Sequence, residues 1–379
     1  MEYEDSFINL NHKQISKESS SFRNQLDKSI FRVDGRSPVE VLHHMIALAN
    51  YNVTLVLGDA KYELLEKPRH HNGLKLVFTT SGTTGNPKLV SQDLVNLVAG
   101  IKQKKSNSER FLKWGFLYDP TKMAGIQVML SAFIRGEPLY CPNPSESISS
   151  RIEFLLERKV NAISATPSMW RAMLQVKDFH QLSLIQITLG GEKVDGALLE
   201  TLKAVFPLAR ITQVYATSEL GVVFSVQDGL EGFPLAFLQA ENDQCSFLKI
   251  DGSSGLQVSR NGTWIATGDK VEISGERVLF TGRFDEIVNV GGVKVDPEKV
   301  RKAIMELPEV LDAVVSGIAN PILGQILVAE VVLHELSEIA ELDIKTHLQT
   351  RVKRIELPAM VRIVERISLN PNGKRRLSI

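Results

Sequence analysis

The chain reads as an α/β protein: a large N-terminal domain of parallel sheets with helices, a β-rich section, and a small α+β C-terminal domain. Three observations predict this. Short apolar runs alternate with helical-period segments from about Tyr51, hairpin signals crowd the stretch from Phe247 to Phe280, and mixed elements return after Gly282. Strand–helix alternation at such spacing favours a parallel sheet with helices packed outside it. The 379 residues exceed what one hydrophobic core usually serves, so at least two domains are expected.

In chain order, the expected strands are 53–57, 74–79, 111–118, 160–164, 183–189 and 211–215. The expected helices are 91–104, 123–133, 147–157, 167–176 and 196–205. Asp251-Gly252, Asn261-Gly262 and Ser274-Gly275 then read as turns between short β runs. Further on come a helix from about Pro297, strands at 312–316 and 325–333, and a helix at 343–352. The domains are expected to be 1–282 and 283–379.

Composition narrows the function classes. Lys+Arg and Asp+Glu both number 44, so no global charge calls for nucleic acid or an anionic membrane. Apolar runs such as 125–134 are too short to span a bilayer. The first ten residues carry Glu2, Glu4 and Asp5 and no signal-peptide core, which predicts a cytoplasmic location. Cys141 and Cys245, with no Cys-x-x-Cys, fit a reducing compartment. The pairs His43-His44 and His70-His71 lack zinc-site spacing. A monomer or homodimer is expected.

The stretch Thr80-Ser81-Gly82-Thr83-Thr84-Gly85-Asn86-Pro87-Lys88 offers four hydroxyls, two glycines and a lysine after an apolar run. Glycine lets backbone approach a ligand closely, and hydroxyls, amides and an ammonium suit phosphate oxygens. It is not a Walker loop, because Asn86-Pro87 separates Gly85 from Lys88. Taken alone it also reads as a flexible linker. Further along stand Gly190-Gly191-Glu192, Tyr215-Ala216-Thr217-Ser218-Glu219, Thr267-Gly268-Asp269, Gly282-Arg283-Phe284-Asp285 and Pro371-Asn372-Gly373-Lys374. Each by itself is an ordinary turn, a core aromatic or a solvated charge.

In this order and spacing, the six motifs resemble the adenylate-forming superfamily of acyl-CoA ligases, peptide-synthetase adenylation domains and luciferases. The match runs over about four-fifths of the chain, from Leu74 onward. In size it is most like compact ligases of the o-succinylbenzoate–CoA type. The resemblance implies an ATP-dependent carboxylic acid–CoA ligase that first forms an acyl adenylate and pyrophosphate. A thiol, that of coenzyme A or of an acyl or peptidyl carrier protein's phosphopantetheine, then displaces AMP. A non-catalytic nucleotide-binding homologue is the other class, and retention of Lys374 speaks against it.

By the same resemblance, Thr80 to Gly85 and Lys88 fold over the β- and γ-phosphates. Gly190, Gly191 and Glu192 border the adenine, and Tyr215 stacks on it. Ser218 binds the α-phosphate where relatives usually carry Thr. Glu219 holds Mg²⁺, which prefers oxygen ligands. Asp269 accepts the ribose hydroxyls, and Arg283 contacts ribose or phosphate. Lys374 bridges the reacting carboxylate and the α-phosphate. Asp285 is the hinge about which the small domain turns, and Gly291 and Gly292 line the thiol arm.

Three departures from the family's pattern stand out, the last of which bears on the substrate. Ala216 replaces a usual glycine, only about 79 residues precede the loop, and no histidine occurs in Leu117 to Gly125. Candidate pocket residues are Asp119, Lys122 and Gly125, within a pocket drawn from 114–127, 165–169 and 188–191. Asp119 suits a substrate ammonium, as in amino-acid adenylation, whereas Lys122 suits a second carboxylate. Both also read as solvated residues of a strand-to-helix turn, Asp119 as a helix cap.

Overall fold

The computed structural model describes residues 7–8, 30–35, 37–60, 73–80, 88–101, 111–238, 247–260, 262–334, 337, 339–370 and 373–378. These fall into two compact units, one of residues up to Glu231 and the other of residues 232–238 and 247 onward.

The first unit carries two mixed sheets. A short strand, β1 (Phe7–Ile8), is followed by a β–α–β unit, β2 (Ile30–Val33), α1 (Pro38–Leu48) and β3 (Thr54–Leu57). Two more strands, β4 (Lys75–Thr80) and β5 (Lys88–Asp93), complete a four-stranded sheet in the order β2-β3-β4-β5. Its first three strands are parallel, while β5 turns back antiparallel on β4. A single turn and a half of helix follows, α2 (Leu94–Ala99). The helix expected at 91–104 is therefore wrong at its start: residues up to Asp93 are strand, and 102–104 lie outside the described residues. Pairing with β4 decides this. Val90 and Gln92 are buried on either side of exposed Ser91, a period-two pattern that a helical reading of Ser91 onward overlooks.

The second sheet is built from β6 (Trp114–Phe116), α3 (Met123–Arg135), β7 (Leu139–Tyr140), α4 (Ile148–Glu157), β8 (Ala162–Ala165), α5 (Pro167–Leu174), β9 (Gln186–Gly190), α6 (Gly196–Val205), β10 (Arg210–Thr217) and β11 (Gly221–Val226). The order is β1-β7-β6-β8-β9-β10-β11, parallel from β7 through β10, with antiparallel strands at both edges. The parallel centre matches the expected strand–helix alternation.

Helix boundaries follow local chemistry. Ser37, Ser147, Thr166 and Asp195 accept a first-turn N–H at the starts of α1, α4, α5 and α6. Pro38 and Pro167 open α1 and α5 with a pre-set φ. Gly136, at φ 63, ends α3 in the left-handed conformation. One core runs through both sheets and joins Leu42 and Met45 of α1, Leu55 and Phe78 of the first sheet, and Ile126 and Met129 of α3. These side chains are essentially fully buried, each worth about 1.5–3 kcal/mol against exposure.

The second unit contains an antiparallel sheet, β12 (Phe233–Pro234), β13 (Phe247–Ile250), β14 (Gly255–Arg260), β15 (Thr263–Ser274) and β16 (Arg277–Arg283), in the order β12-β16-β15-β14-β13. After a 3₁₀ turn at Phe284–Glu286 come β17 (Val288–Val290), β18 (Val293–Val295), α7 (Pro297–Ile304), β19 (Val310–Asn320), β20 (Gly324–Leu333), α8 (Glu341–Gln349) and β21 (Met360–Ile363). A last hairpin joins β22 (Ser368–Leu369) and β23 (Arg375–Arg376). Val300 and Ile304 of α7 and Ile344 and Leu348 of α8 bury their side chains with Val315, Leu327 and Val331 of the β19–β20 hairpin. Among the described residues no helix is long and apolar enough to cross a membrane.

Candidate functional site

In the first unit, polar groups gather at the carboxyl ends of the parallel strands, where open α/β sheets bind ligands. Between β10 and β11 the chain makes a turn, Thr217-Ser218-Glu219-Leu220, in which Thr217 Oγ1 accepts the Leu220 N–H at 3.1 Å. Gly221 follows at φ 71, a left-handed position. Gln92 holds this turn from the other sheet. Its side-chain amide donates to the carbonyls of Ser218, at 2.8 Å, and of Glu219. Gln92 is buried, so those bonds are shielded from water. Sequence reading missed it, because a glutamine alternating with apolar residues carries no mark of its distant partner.

Strand β5 also begins with Lys88. It pairs with Thr80 across β4, so the described ends of the phosphate-loop motif face each other in a hairpin. Ser81, Gly82, Thr83, Thr84 and Gly85 lie outside the described residues. Tyr215 pairs with Phe224 across β10–β11, their rings 5.0 Å apart and 28° from parallel. One ring face is therefore covered by Phe224.

At the ends of β6, β8 and β9 stand Tyr118, Ser164 and Glu192. Burial raises the Tyr118 pKa, a hydrogen bond with Ser164 opposes this, and the Glu192 charge adds to it. The Tyr118 hydroxyl thus stays protonated. Glu192 Oε2 accepts the Ser168 N–H at 3.0 Å, in the first turn of α5, where a negative charge suits the helix dipole. Gly190 ends β9 opposite Val214, whose carbonyl would lie 3.3 Å from an added Cβ, and Gly191 takes φ 81. Neither position accepts a side chain without strain.

The residues before α3 form a compact turn. Asp119 is buried, and its Oδ1 accepts from the Thr121 N–H at 2.9 Å and the Thr121 hydroxyl at 2.7 Å. The helix cap position falls on Lys122, so Asp119 stabilises the turn and does not cap the helix. The Lys122 ammonium donates to Thr79 Oγ1, beside the start of the phosphate-loop motif. Gly125 is a packing requirement. A Cβ there would come 2.2 Å from the Asp119 carbonyl oxygen. Gly125→Ala is expected to lower stability by about 1–3 kcal/mol. Thermal unfolding checks this, and an unchanged midpoint would contradict the close approach.

In the second unit, β15 and β16 pair Asp269 with Arg283. Arg283 donates from Nη1 to Asp269 Oδ1 at 2.9 Å, and from Nε and Nη2 to the two Asp285 oxygens at 2.9 and 3.3 Å. Burial opposes its charge, but the carboxylates of Asp285 and Asp269 outweigh this and raise its pKa. Gly268, at φ 81, leaves the guanidinium room, since a Cβ there would lie 3.1 Å from Nη2. Asp285 sits in the 3₁₀ turn, fastened by this fork. Gly291 and Gly292 make the β17–β18 turn at φ 56 and 86. An added Cβ at Gly292 would meet nothing within 4 Å, so backbone conformation is what demands glycine there.

Lys374 is half-buried in a turn clasped by Asn370. The Asn370 side chain accepts the Lys374 N–H at 3.1 Å, and the Lys374 carbonyl accepts the Asn370 N–H at 2.8 Å. Gly373 takes φ 71. Lys374 also lies within electrostatic reach of Glu286. Pro371 and Asn372 lie outside the described residues.

The first unit thus carries hydroxyls and a carboxylate at its strand ends, and the second carries a paired Asp269 and Arg283 and a clasped Lys374. The chain belongs to the AMP-binding enzyme family: the family's model matches residues 16–244, and that of the AMP-binding enzyme C-terminal domain matches 299–374. It is 27% identical over 339 residues to YdaB of Bacillus subtilis (strain 168), covering 79% of this chain and 65% of that protein. It is 24% identical to the acyl-coenzyme A synthetase ACSM1, mitochondrial, of Homo sapiens, of which it spans 59%, with 79% of this chain covered. Among solved structures, the fold is shared with ATP-bound MatB from Rhodopseudomonas palustris (TM-score 0.69, 15% identity, 96% of this chain and 90% of that one). It is also shared with the o-succinylbenzoate CoA synthetase MenE of Bacillus subtilis in complex with an acyl adenylate (TM-score 0.64, 16% identity, 96% and 90%).

Proposed function

We propose that this protein is an AMP-forming ligase that joins a small carboxylic acid to coenzyme A through an acyl adenylate. The observation that carries the reading is the retention, in one chain of this family, of both an Asp269–Arg283 pair and a clasped Lys374. A protein that only bound nucleotide would have no use for the lysine.

Acid activation brings a carboxylate beside a polyphosphate, so like charges must be neutralised, and positioning with electrostatic stabilisation carries most of the catalysis. Lys88, with Thr80 and the loop between them, neutralises the outer phosphates. The Ser218 hydroxyl orients the α-phosphate, and the Tyr215 ring stacks on the purine. Asp269 accepts the ribose hydroxyls while Arg283 supplies a permanent cation. Lys374 stabilises charge on the carboxylate and α-phosphate as the new bond forms. Glu219 is a single exposed hard-oxygen donor, which suits Mg²⁺, an ion usually held by one or two carboxylates plus substrate phosphates. Bound there, it would add positive charge beside the phosphates.

The small domain, residues 283–379, turns about Asp285 between the two half-reactions, and the Gly291–Gly292 turn borders the thiol arm. A carrier protein's phosphopantetheine is the alternative acceptor. Asp119 is engaged by Thr121, which favours an acid without an ammonium group, and Lys122 would reach a second carboxylate only by giving up its bond to Thr79. Pyrophosphate release with a panel of alkyl, aryl and dicarboxylic acids against amino acids tests the reading. Faster release with the acids is expected, and amino-acid preference would overturn the coenzyme A ligase assignment.

Gln92→Leu removes both bonds to the Ser218–Glu219 turn. Stability is expected to fall by about 1–3 kcal/mol, with ATP–pyrophosphate exchange down roughly tenfold. Exchange at the wild-type rate would show that the turn needs no such support.

A further inference from the structure

Two buried carboxylates of the second unit, Asp312 and Glu330, serve no role described so far. Glu330 on β20 is 0% exposed. Both of its oxygens accept the Ser378 N–H at 3.0 Å, and Oε2 also accepts the Ser378 hydroxyl at 3.0 Å. Asp312 on β19 is 4% exposed. Its Oδ1 lies 3.0 Å from Arg375 Nη2, and its Oδ2 accepts from Arg375 Nε at 3.2 Å. The β19–β20 register pairs Val314 with Glu330 and Asp312 with Val332. The two carboxylates are therefore diagonal neighbours on one face of the hairpin.

Both grip the segment that carries Lys374. Arg375 is the next residue along, and Leu369 pairs with it across β22–β23. The lysine thus lies between the Asn370 clasp on one side and the two carboxylate anchors on the other. A carboxylate buried without partners is costly, so Asp312 and Glu330 strongly favour the seated tail.

We propose that Asp312 and Glu330 are positioning residues that fasten the Lys374 turn to the C-terminal sheet, so that the ammonium travels with that sheet as one rigid piece. The proposal rests on the reading that Lys374 acts in adenylate formation. A misplacement of about 1 Å can cost 10²-fold in rate. A lysine on an unfastened tail would lose adenylate formation while the thioester step, which does not use it, went on.

The test uses the full-length protein with Ser378→Pro, Ser378→Ala, Glu330→Gln and Asp312→Asn. Ser378→Pro removes both donors to Glu330 at a position outside every described strand and helix. Ser378→Ala keeps the N–H and is the conservative variant. Two readouts are taken. The first is tryptic cleavage after Lys374, read by mass spectrometry as release of the segment beyond it, which needs no substrate. The second is ATP–pyrophosphate exchange with octanoate or benzoate, whichever the wild type uses faster, against thioester formation from the corresponding synthetic acyl adenylate.

Ser378→Pro, Glu330→Gln and Asp312→Asn are expected to speed tail release and to slow exchange at least about tenfold, with thioester formation within about twofold. Ser378→Ala stays near wild type in both. Wild-type tail release in Ser378→Pro, or equal loss of both half-reactions in a variant that keeps its unfolding midpoint, overturns the anchoring. Lys374→Ala is run in parallel. If it leaves exchange intact, the role of Lys374 fails; if it abolishes exchange while faster tail release leaves exchange unchanged, only the anchoring fails.

Discussion

Lys374→Ala abolishes formation of the acyl adenylate and leaves the thioester step nearly untouched. The expected loss in ATP–pyrophosphate exchange is about 10²–10³-fold, the scale for removing one preorganised stabiliser of developing charge. Thioester formation from a supplied acyl adenylate stays within about twofold, since the proposed turn about Asp285 takes the ammonium out of that step before the thiol displaces AMP. The fold should survive, because the Asn370 clasp uses the backbone of Lys374 and not its side chain. Equal loss of both half-reactions would remove the proposed role, as would exchange at the wild-type rate.

Asp269→Asn weakens ATP use by roughly 10–100-fold in KM, in line with the 1.5–3 kcal/mol of a hydrogen bond to a charged group. The variant also erases a distinction. Wild-type enzyme should prefer ATP over 2′-deoxy-ATP because the carboxylate accepts from the ribose hydroxyls, and in Asp269→Asn the two nucleotides should become equivalent. Arg283 keeps its two bonds to Asp285, so the guanidinium is not left buried and unpaired. A wild-type preference for ATP retained in Asp269→Asn would place ribose recognition elsewhere.

Part of the local geometry around the motif residues is legible in the sequence. Asp269 and Arg283 belong to separate motifs, yet a β-hairpin turning at Ser274-Gly275 brings them into register, and that turn is visible in the sequence. The helices α3 to α6 announce themselves by period, by Ser147, Thr166 and Asp195 at their starts, and by Gly136 at one end. Gln92 did not, and neither did the strand that carries it. Its bonds go to carbonyls more than a hundred residues away, at Ser218 and Glu219. Asp119 reads in the sequence as a helix cap or a partner for an ammonium, and in the fold its Oδ1 binds Thr121, two residues on.

By itself, the amino-acid sequence determined the α/β alternation, the order of the nucleotide-binding motifs and the chemical kinds of group they offer. These depend on local period, turn residues and composition, which neighbouring residues settle among themselves. Tertiary structure alone decided that residues 88–93 form an antiparallel edge strand, that Gln92 supports the Ser218–Glu219 turn, and that Asp312 and Glu330 anchor the tail behind Lys374. Each of these joins segments distant along the chain, and a buried polar group is told from a solvated one only when its partner has come to meet it.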